Sequence, residues 1–171
     1  MYAGKRVRLR PFEWEDAGKY REWINDSEIV SLVDRVRPVT GEEHRRWYET
    51  IVSDPHSVIF AIEVLPNKQF VGCVWLHGID DRHRHAELRI VIGDKRYWGK
   101  RIGKEGIAGI VQFAFKKLGL HKLYAYVLAT NARASEAFKR AGFVREGVFR
   151  SERYIDGAFV DVLRFGLVRK D

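Results

Sequence analysis

The hydrophobic and polar positions along the chain alternate between the two periods that distinguish strands from helices. The segment VRLR, which begins at Val7 and stops at Pro11, alternates apolar and basic residues and is typical of a strand. Apolar residues at helical spacing predict a helix over residues 14–25, and Thr40 with Glu43 form a capping-box pattern that begins a second helix. The first part of the chain is therefore predicted to be one strand followed by two helices.

The middle of the chain carries three predicted strands and then a helix. Residues 57–64 and 70–77 flank the turn PNK and predict a β-hairpin. The segment AELRIVIG, which begins at Ala86, is apolar on both sides near its end and therefore predicts a central strand. A helical pattern follows the loop after this strand, and Gly119 can end that helix.

The last part of the chain predicts a strand from Lys122, a short helix that Asn131 caps and Gly142 ends, and a final hairpin. An Asp-Gly pair at residues 156–157 is the hairpin signal. The predicted order is β-α-α-β-β-β-α-β-α-β-β, in a single domain over residues 1–171. This order predicts an α/β (α+β) fold with a mixed sheet, helices on its faces and a strand–loop–helix unit at its centre.

Composition and charge narrow the choice of partners. With 171 residues and 46% hydrophobic content, the chain suits one folded domain. A net charge of +8 attracts anions such as nucleic acid, a ribosomal surface or a phosphate-bearing cofactor, or else marks a solvated surface of no specific use. The lack of a membrane-span or signal-peptide pattern predicts a cytoplasmic protein. Cys73 is the single cysteine, which excludes an internal disulfide and a cysteine-rich zinc site.

The loop YWGKRIGKEG, residues 97–106, places glycines and basic residues just ahead of a helical pattern. Its spacing fits neither a Walker A loop nor a dinucleotide-binding fingerprint. A glycine-rich turn before a helix nevertheless exposes unpaired backbone N–H groups at the positive end of the helix dipole, and such a site binds phosphates. The loop is therefore interpreted as a phosphate site, with an ordinary turn as the alternative.

Two histidines lie in the segment DDRHRHAE ahead of the central strand. His83 and His85, beside Asp80 and Asp81, have the residue types of a metal site. We interpret the two histidines as solvated loop residues and expect no metal.

Several segments together resemble the GNAT N-acetyltransferases, in particular the branch of spermidine acetyltransferases and Rim-type acetyltransferases of ribosomal-protein N-termini. They are AELRIVIGDKRYWGKRIGKEG, LHKLYAYVLATNARASEAFKRAGFVREGVFR and YIDGAFVDV, so the resemblance is dense from Ala86 to Val162 and looser before it. It implies a mixed, mostly antiparallel sheet flanked by helices. It also implies acetyl-CoA as the donor and a primary amine as the acceptor.

The resemblance assigns a set of cofactor-binding residues. The family's pyrophosphate loop maps onto Trp98, Gly99, Lys100, Arg101, Ile102, Gly103 and Lys104, and the positions of Trp98 and Arg101 depart from the family pattern. Arg101 loses the freedom of φ that glycine has, and its guanidinium either meets a phosphate or points to solvent.

A strand and an asparagine complete this set. Ile90, Val91 and Ile92 match a central strand that splays from its neighbour and pairs with pantetheine as an added strand would. Asn131 matches an asparagine that contacts the cofactor, and helix capping is its alternative or additional role.

The catalytic groups are less clearly marked. The family's general acid is often a tyrosine seven residues after the asparagine, and here that position, beside the cofactor, is Phe138. Ser135, one helical turn earlier, is the substitute proton donor, with water or an ordinary surface serine as alternatives. Glu87 matches an acidic residue of the family and is the candidate general base. Its alternative is a structural ion pair with Arg82, Arg84 or Arg89.

Two classes of function follow from the resemblance. The first is an acetyl-CoA-dependent N-acetyltransferase in which a protein N-terminal α-amine, or an amino group of a small molecule or nucleotide sugar, attacks the thioester directly. A polyamine acceptor is disfavoured because acidic groups are sparse against 31 Lys and Arg. The second is a catalytically degenerate GNAT-fold module that binds CoA or nucleic acid without turnover. A homo-oligomer and a ribosomal or other anionic partner stay open.

Overall fold

The computed structural model describes residues 2–33 and 38–170. Its strands are β1 (Tyr2–Ala3), β2 (Val7–Pro11), β3 (Val58–Val64), β4 (Gln69–Asp80), β5 (His85–Ile92), β6 (Lys122–Leu128), β7 (Val144–Ile155) and β8 (Ala158–Val168). Its helices are α1 (Trp14–Ile24), α2 (Ser27–Val33), α3 (Gly41–Ser53), α4 (Ile102–Lys116) and α5 (Ala132–Arg140), and a short 3-10 helix spans Lys95–Tyr97.

Across the described residues the strands form one eight-stranded sheet in the spatial order β1-β2-β3-β4-β5-β6-β8-β7. Neighbouring strands are antiparallel except for β5 and β6, which are parallel. A parallel pair needs a crossover, and the loop after β5 together with α4 provides it. The predicted mixed, mostly antiparallel sheet flanked by helices is confirmed.

Helices cover both faces of the sheet because alternate residues of each strand point to opposite sides. On β5, Leu88 belongs to the core under α4 and α5, whereas Val91 belongs to the core under α1 and α3. Phe165 is wholly buried in the first core, where truncation of such a side chain typically costs about 3–5 kcal/mol. Each face of β5 therefore lies beneath a packed layer of helices.

The predicted helix starts agree with the structure. Thr40 Oγ1 accepts a hydrogen bond from the Glu43 amide at 3.2 Å, and Glu43 Oε2 accepts one from the Thr40 amide at 3.0 Å, which completes a capping box. Asn131 Oδ1 accepts a hydrogen bond from the Ala134 amide at 3.0 Å at the start of α5. These caps satisfy amides that have no acceptor within their own helix.

The predicted order omitted three short elements. Strand β1 is too short for alternation to be visible in the sequence. Helix α2 follows Asp26, whose carboxylate accepts hydrogen bonds from the Glu28 and Ile29 amides, and the sequence prediction missed this start signal. The third omitted element is the 3-10 helix after β5. Within the described ranges, none of the helices is long and apolar enough to cross a membrane.

Candidate active site

Strands β5 and β6 separate in the middle of the sheet. They pair only from His85 with Lys122 to Glu87 with Tyr124, although both strands continue beyond these residues. The Gly93 amide donates to the Val71 carbonyl of β4 at 2.9 Å. Because backbone groups alternate in direction along a strand, those of Ile90 and Ile92 point away from β4 and into the gap. The splay that the family resemblance implied is therefore present.

Trp98 contacts this open edge directly. Its Nε1 donates a hydrogen bond to the Ile92 carbonyl at 2.7 Å. The guanidinium carbon of Arg133 on α5 lies 3.5 Å from the centre of a Trp98 ring. Trp98, which departs from the family pattern, thus anchors the loop to β5 and joins it to α5.

The first backbone amides of α4 lie where this loop enters the helix. The Lys100 amide donates to the Tyr97 carbonyl at 3.3 Å, and the Glu105 amide donates to the Arg101 carbonyl at 3.2 Å. Between them lie the amides of residues 102–104, which belong to the first turn and have no acceptor within the helix. Three adjacent amides at the positive end of a helix dipole suit a phosphate group.

Arg101 precedes α4 with φ 65° and ψ 10°, which is the left-handed region. A residue with a Cβ pays about 1–2 kcal/mol for this conformation, whereas glycine, as at nearby Gly99 with φ 74°, adopts it freely. Arg101 therefore adopts, at a cost, the left-handed conformation that glycine adopts freely. Among the described residues its guanidinium makes no hydrogen bond or ion pair.

A cavity of about 480 Å³ lies between the end of β5, the loop and the start of α5. Among the predicted cofactor residues, its lining contains Ile90, Val91, Ile92, Trp98, Gly99, Arg101, Ile102, Gly103, Lys104 and Asn131. Lys100 is not part of the lining, and its ammonium group lies over the Tyr97 ring, 5.5 Å from the ring centre. We call this space the loop cavity.

A second cavity of about 610 Å³ lies on the other side of the split. It shares with the loop cavity the residues Leu32, Val33, Ile90, Val91, Asn131 and Ala134. Its own lining includes Tyr20, Trp75, Glu87, Arg89, Tyr126, Phe138, Phe149, Glu152 and Arg153. We call it the outer cavity, and the two cavities meet where β5 and β6 part.

Charged groups in the outer cavity occur as pairs. Glu87 accepts hydrogen bonds from Arg89 Nε at 2.7 Å and from Arg89 Nη2 at 2.9 Å. Arg153 Nη1 donates to Glu152 Oε1 at 3.1 Å. Of the three arginine partners proposed for Glu87 from the sequence, Arg89 is the one it contacts, because residues two apart on a strand share a face. The pair does not prevent Glu87 from contacting an acceptor, since Glu87 also lines the cavity.

Two predicted site residues on α5 also lie outside the lining of the loop cavity. Ser135 is buried within α5 and lines neither cavity, so its hydroxyl does not reach the split. Phe138 was assigned to the cofactor side, but it lines the outer cavity and packs against Phe143 at 5.1 Å between ring centres. A count of residues along a helix does not say which side of the helix faces the sheet, and the packing of α5 decides these two positions.

The lone cysteine can be set aside as a nucleophile. Cys73 is fully buried on β4 and lines neither cavity. Burial raises the pKa of its thiol well above the ordinary value. A covalent acyl-cysteine intermediate therefore has no support here, and direct attack of the amine on the thioester fits the cavities better.

The sequence did not reveal most of the outer cavity. Tyr20 comes from α1, Trp75 from β4, Tyr126 from β6 and Glu152 from β7, so no local motif connects them. Strand alternation was the available signal: Glu87 and Tyr124 are partners in the parallel pair, so Arg89 and Tyr126 follow on the same face.

Gly93 shows how closely the elements around the split are fitted. A Cβ built at this residue would lie 1.9 Å from the Trp23 ring of α1. Trp23 is buried and cannot easily move aside. Only glycine therefore lets the chain turn off the end of β5 at this point.

Comparison with known proteins agrees with this geometry. A family model described as "Acetyltransferase (GNAT) domain" matches residues 6–144, and the chain belongs to this family. The protein is therefore an N-acetyltransferase that uses acetyl-CoA as its cosubstrate.

Individual relatives span nearly the whole chain. The spermidine N(1)-acetyltransferase of Vibrio cholerae is 30% identical, with 96% of this chain and 94% of the relative covered. A crystal structure of spermidine N-acetyltransferase from Vibrio cholerae with CoA and spermine has a TM-score of 0.89 and 28% identity, and covers 96% of each chain. A putative ribosomal N-acetyltransferase, YdaF of Bacillus subtilis, is 23% identical over 98% of this chain and 93% of its own.

Proposed function

We propose that acetyl-CoA occupies the loop cavity, that a primary amine occupies the outer cavity, and that the acetyl group passes between them at the split. The observation that carries this proposal is the shared lining of the two cavities at Ile90, Val91 and Asn131. Reacting groups held in two cavities that share lining residues gain the advantage of proximity.

The loop cavity supplies contacts for each part of the donor. The backbone of Ile90, which faces the gap, pairs with the amide groups of pantetheine in the manner of an added strand. The amides of residues 102–104 receive the pyrophosphate, and the cations of Arg101 and Lys104 face the same cavity. Arg133, stacked on Trp98, adds a further positive charge at the start of α5.

The reaction is a direct displacement at the thioester. The nitrogen lone pair of the neutral amine forms a bond to the acetyl carbon, the carbon–sulfur bond breaks, and coenzyme A leaves as a thiolate. The nitrogen loses a proton to Glu87, directly or through water. A thiol of ordinary pKa leaves as thiolate at roughly 2 kcal/mol relative to its protonated form at pH 7, so the transfer tolerates phenylalanine at position 138.

The outer cavity favours an acceptor that is not a polycation. In the described part of the chain its charged lining consists of two glutamates and two arginines, which balance one another. A lysine-like amine must give up a proton at a cost of roughly 4.6 kcal/mol at pH 7, whereas an α-amine needs about 1 kcal/mol. We therefore assign as acceptor the α-amine of a protein N-terminus, or the amino group of a small molecule or nucleotide sugar.

The basic surface suits an anionic partner that would bring such an acceptor to the enzyme. A net charge of +8 attracts ribosomal RNA or a nucleotide diphosphate at long range and repels free polyamines.

Large apolar side chains are exposed on the β7–β8 hairpin, where Tyr154 is 63% and Phe159 69% exposed. This surface fits a homo-oligomer, which sedimentation analysis of the purified protein would detect.

The test is a coenzyme A release assay with matched acceptors: peptides with free N-termini, nucleotide amino sugars and spermidine. We expect kcat/KM for the best α-amine or nucleotide sugar to exceed that for spermidine by at least about tenfold, or about 1.4 kcal/mol in transition-state stabilisation. Spermidine as the best acceptor would contradict the acceptor assignment. Binding of acetyl-CoA by calorimetry without release for any amine would favour the non-catalytic module instead.

A further inference from the structure

Three side chains with metal-ligating chemistry meet at the turn between β4 and β5. Asp80 and His85 are cross-strand partners at the end of this hairpin, and His83 lies in the turn between them. One potential ligand atom from each residue lies within 4.8 Å of the others. The cluster is separate from both cavities, since none of the three residues lines either one.

The backbone of the turn holds these side chains in position. The His83 amide donates to Asp80 Oδ1 at 2.7 Å, and His83 Nδ1 lies 3.0 Å from Asp80 Oδ2. Arg84 takes a positive φ of 56° and its guanidinium donates to the Gly119 carbonyl at 3.1 and 2.8 Å. The turn is thus attached to the residues that follow α4, and the Arg84 guanidinium is hydrogen-bonded to a carbonyl there.

His85 gives the second observation that points to a ligand. Its Nδ1 is buried and has no hydrogen-bond partner in the described part of the chain. A buried imidazole nitrogen without a partner is unfavourable, because it loses its hydrogen bonds to water and gains none in the fold. The ring is held edge-on by Tyr124 at 5.7 Å and stacked with His83 at 5.9 Å between ring centres. Coordination of a cation by His85 would give this side chain the polar partner that the fold does not provide.

We propose that Asp80, His83 and His85 bind one divalent transition-metal ion of the zinc or nickel type, with water in the open positions. Imidazole nitrogens favour such ions, whereas magnesium and calcium favour oxygen ligands. Because the ligand atoms lie within 4.8 Å of one another, an ion between them would lie no more than about 2.8 Å from each, so rotation of the side chains by up to ~0.7 Å reaches the zinc distance of about 2.1 Å. This assignment departs from the sequence interpretation of solvated histidines.

The ion has no part in the transfer chemistry. His85 is two residues before Glu87 on β5 and shares its face, so coordination would hold the start of the strand that carries Glu87 into the outer cavity. Binding of the ion therefore stabilises this hairpin, and it does so whether or not the proposed acceptor is correct.

The experiment is calorimetric titration of tag-free, chelator-treated protein with ZnCl₂, NiCl₂ and MgCl₂. We expect one zinc or nickel ion per chain and no magnesium binding. His83→Ala and His85→Ala should each weaken zinc binding at least about tenfold, as loss of one ligand does. The matched control is His121→Ala, which removes an exposed histidine outside the cluster and should leave the affinity unchanged.

A melting curve for each chelated variant shows whether it is folded. If His85→Ala unfolds, the exposed His83→Ala variant decides the question alone, because its ring lies on the surface. The proposal is overturned if zinc does not bind to the wild-type protein, if His83→Ala binds zinc as tightly as wild type, or if His121→Ala weakens binding equally. Coenzyme A release is measured separately and does not enter this decision.

Discussion

Arg133 and Trp98 form a cation–π stack, with 3.5 Å between the guanidinium carbon and the ring centre. The same indole donates its N–H to the Ile92 carbonyl. One side chain from the loop therefore joins the edge of β5 to the start of α5, the two elements that border the loop cavity. The stack places a positive charge at this border without a neighbouring carboxylate in direct contact among the described residues.

Arg133→Ala should weaken binding of coenzyme A about thirtyfold, because it removes both the charge and the stack, each worth roughly 1 kcal/mol. Calorimetry with coenzyme A measures the change. Arg145→Ala, a substitution of an exposed arginine on β7 that lines neither cavity, is the control and should bind as wild type. Equal affinity of Arg133→Ala and wild type would exclude Arg133 from the donor site.

Arg101→Gly separates conformation from charge. Glycine relieves the left-handed strain at φ 65°, so we expect a gain of about 1 kcal/mol in the free energy of unfolding, or ~2–4 °C in Tm. Loss of the guanidinium should raise the Kd for coenzyme A about fivefold. Arg101→Lys keeps a positive charge and the left-handed strain. It should therefore recover part of the affinity for coenzyme A but gain none of the stability. An unchanged Kd in both variants would show that the arginine points to solvent.

Glu87→Gln should lower kcat at least about tenfold, with the largest loss at low pH. At high pH more of the acceptor amine is already neutral, so the variant recovers part of its rate there. The pH dependence of kcat for an α-amine acceptor tests this directly. A profile with the shape of the wild type would remove Glu87 from proton transfer and leave the ion pair with Arg89 as its role.

Tyr126→Phe should lower kcat about tenfold, because Tyr126 brings a hydroxyl from β6 to the side of the split opposite Glu87 and can protonate the departing thiolate. Tyr124→Phe removes the same atom two residues earlier on the strand, outside both cavities, and is the matched control. Equal rates for the two variants would assign the leaving-group proton to water.

Glu63→Gln tests the ion-pair network beside β2. Arg8 Nε and Arg10 Nε donate to Glu63 at 2.8 and 2.7 Å. Burial raises the pKa of Glu63, but hydrogen bonds from Arg10 and Arg8 lower it further, so the pKa lies below its ordinary value. We expect a loss of about 3 kcal/mol in the free energy of unfolding at pH 7, seen as a lower Tm.

The pH dependence of this loss follows from the sign of the shift. A carboxylate with a lowered folded-state pKa stabilises the protein above its unfolded pKa, and this contribution is lost as the pH falls through the folded pKa. The difference between Glu63→Gln and wild type should therefore be constant near neutrality and shrink below about pH 4.3. Glu22→Gln, in an exposed pair with Lys19, is the control and should change stability by less than about 1 kcal/mol at any pH.

The sequence predicted the regular elements and marked the loop that borders the loop cavity because their signals are local. The capping residues Thr40 and Asn131 and the loop of residues 98–104 are contiguous patterns, and the structure brings most of that loop to one cavity. The outer cavity was not predictable in the same way, because Tyr20, Tyr126 and Glu152 meet only through the tertiary fold. The burial of Ser135 was likewise not predictable, because its helical phase depends on packing against the sheet.

The lining residues that the two cavities share have a consequence for the design of an inhibitor. A conjugate in which coenzyme A is joined through a short linker to an amine-bearing fragment would span the gap between β5 and β6 and fill both spaces at once. Such a molecule gives up its translational freedom once rather than twice, so it should bind far more tightly than either half. The linker length that binds best would report how far apart sulfur and nitrogen stand when the acetyl group moves.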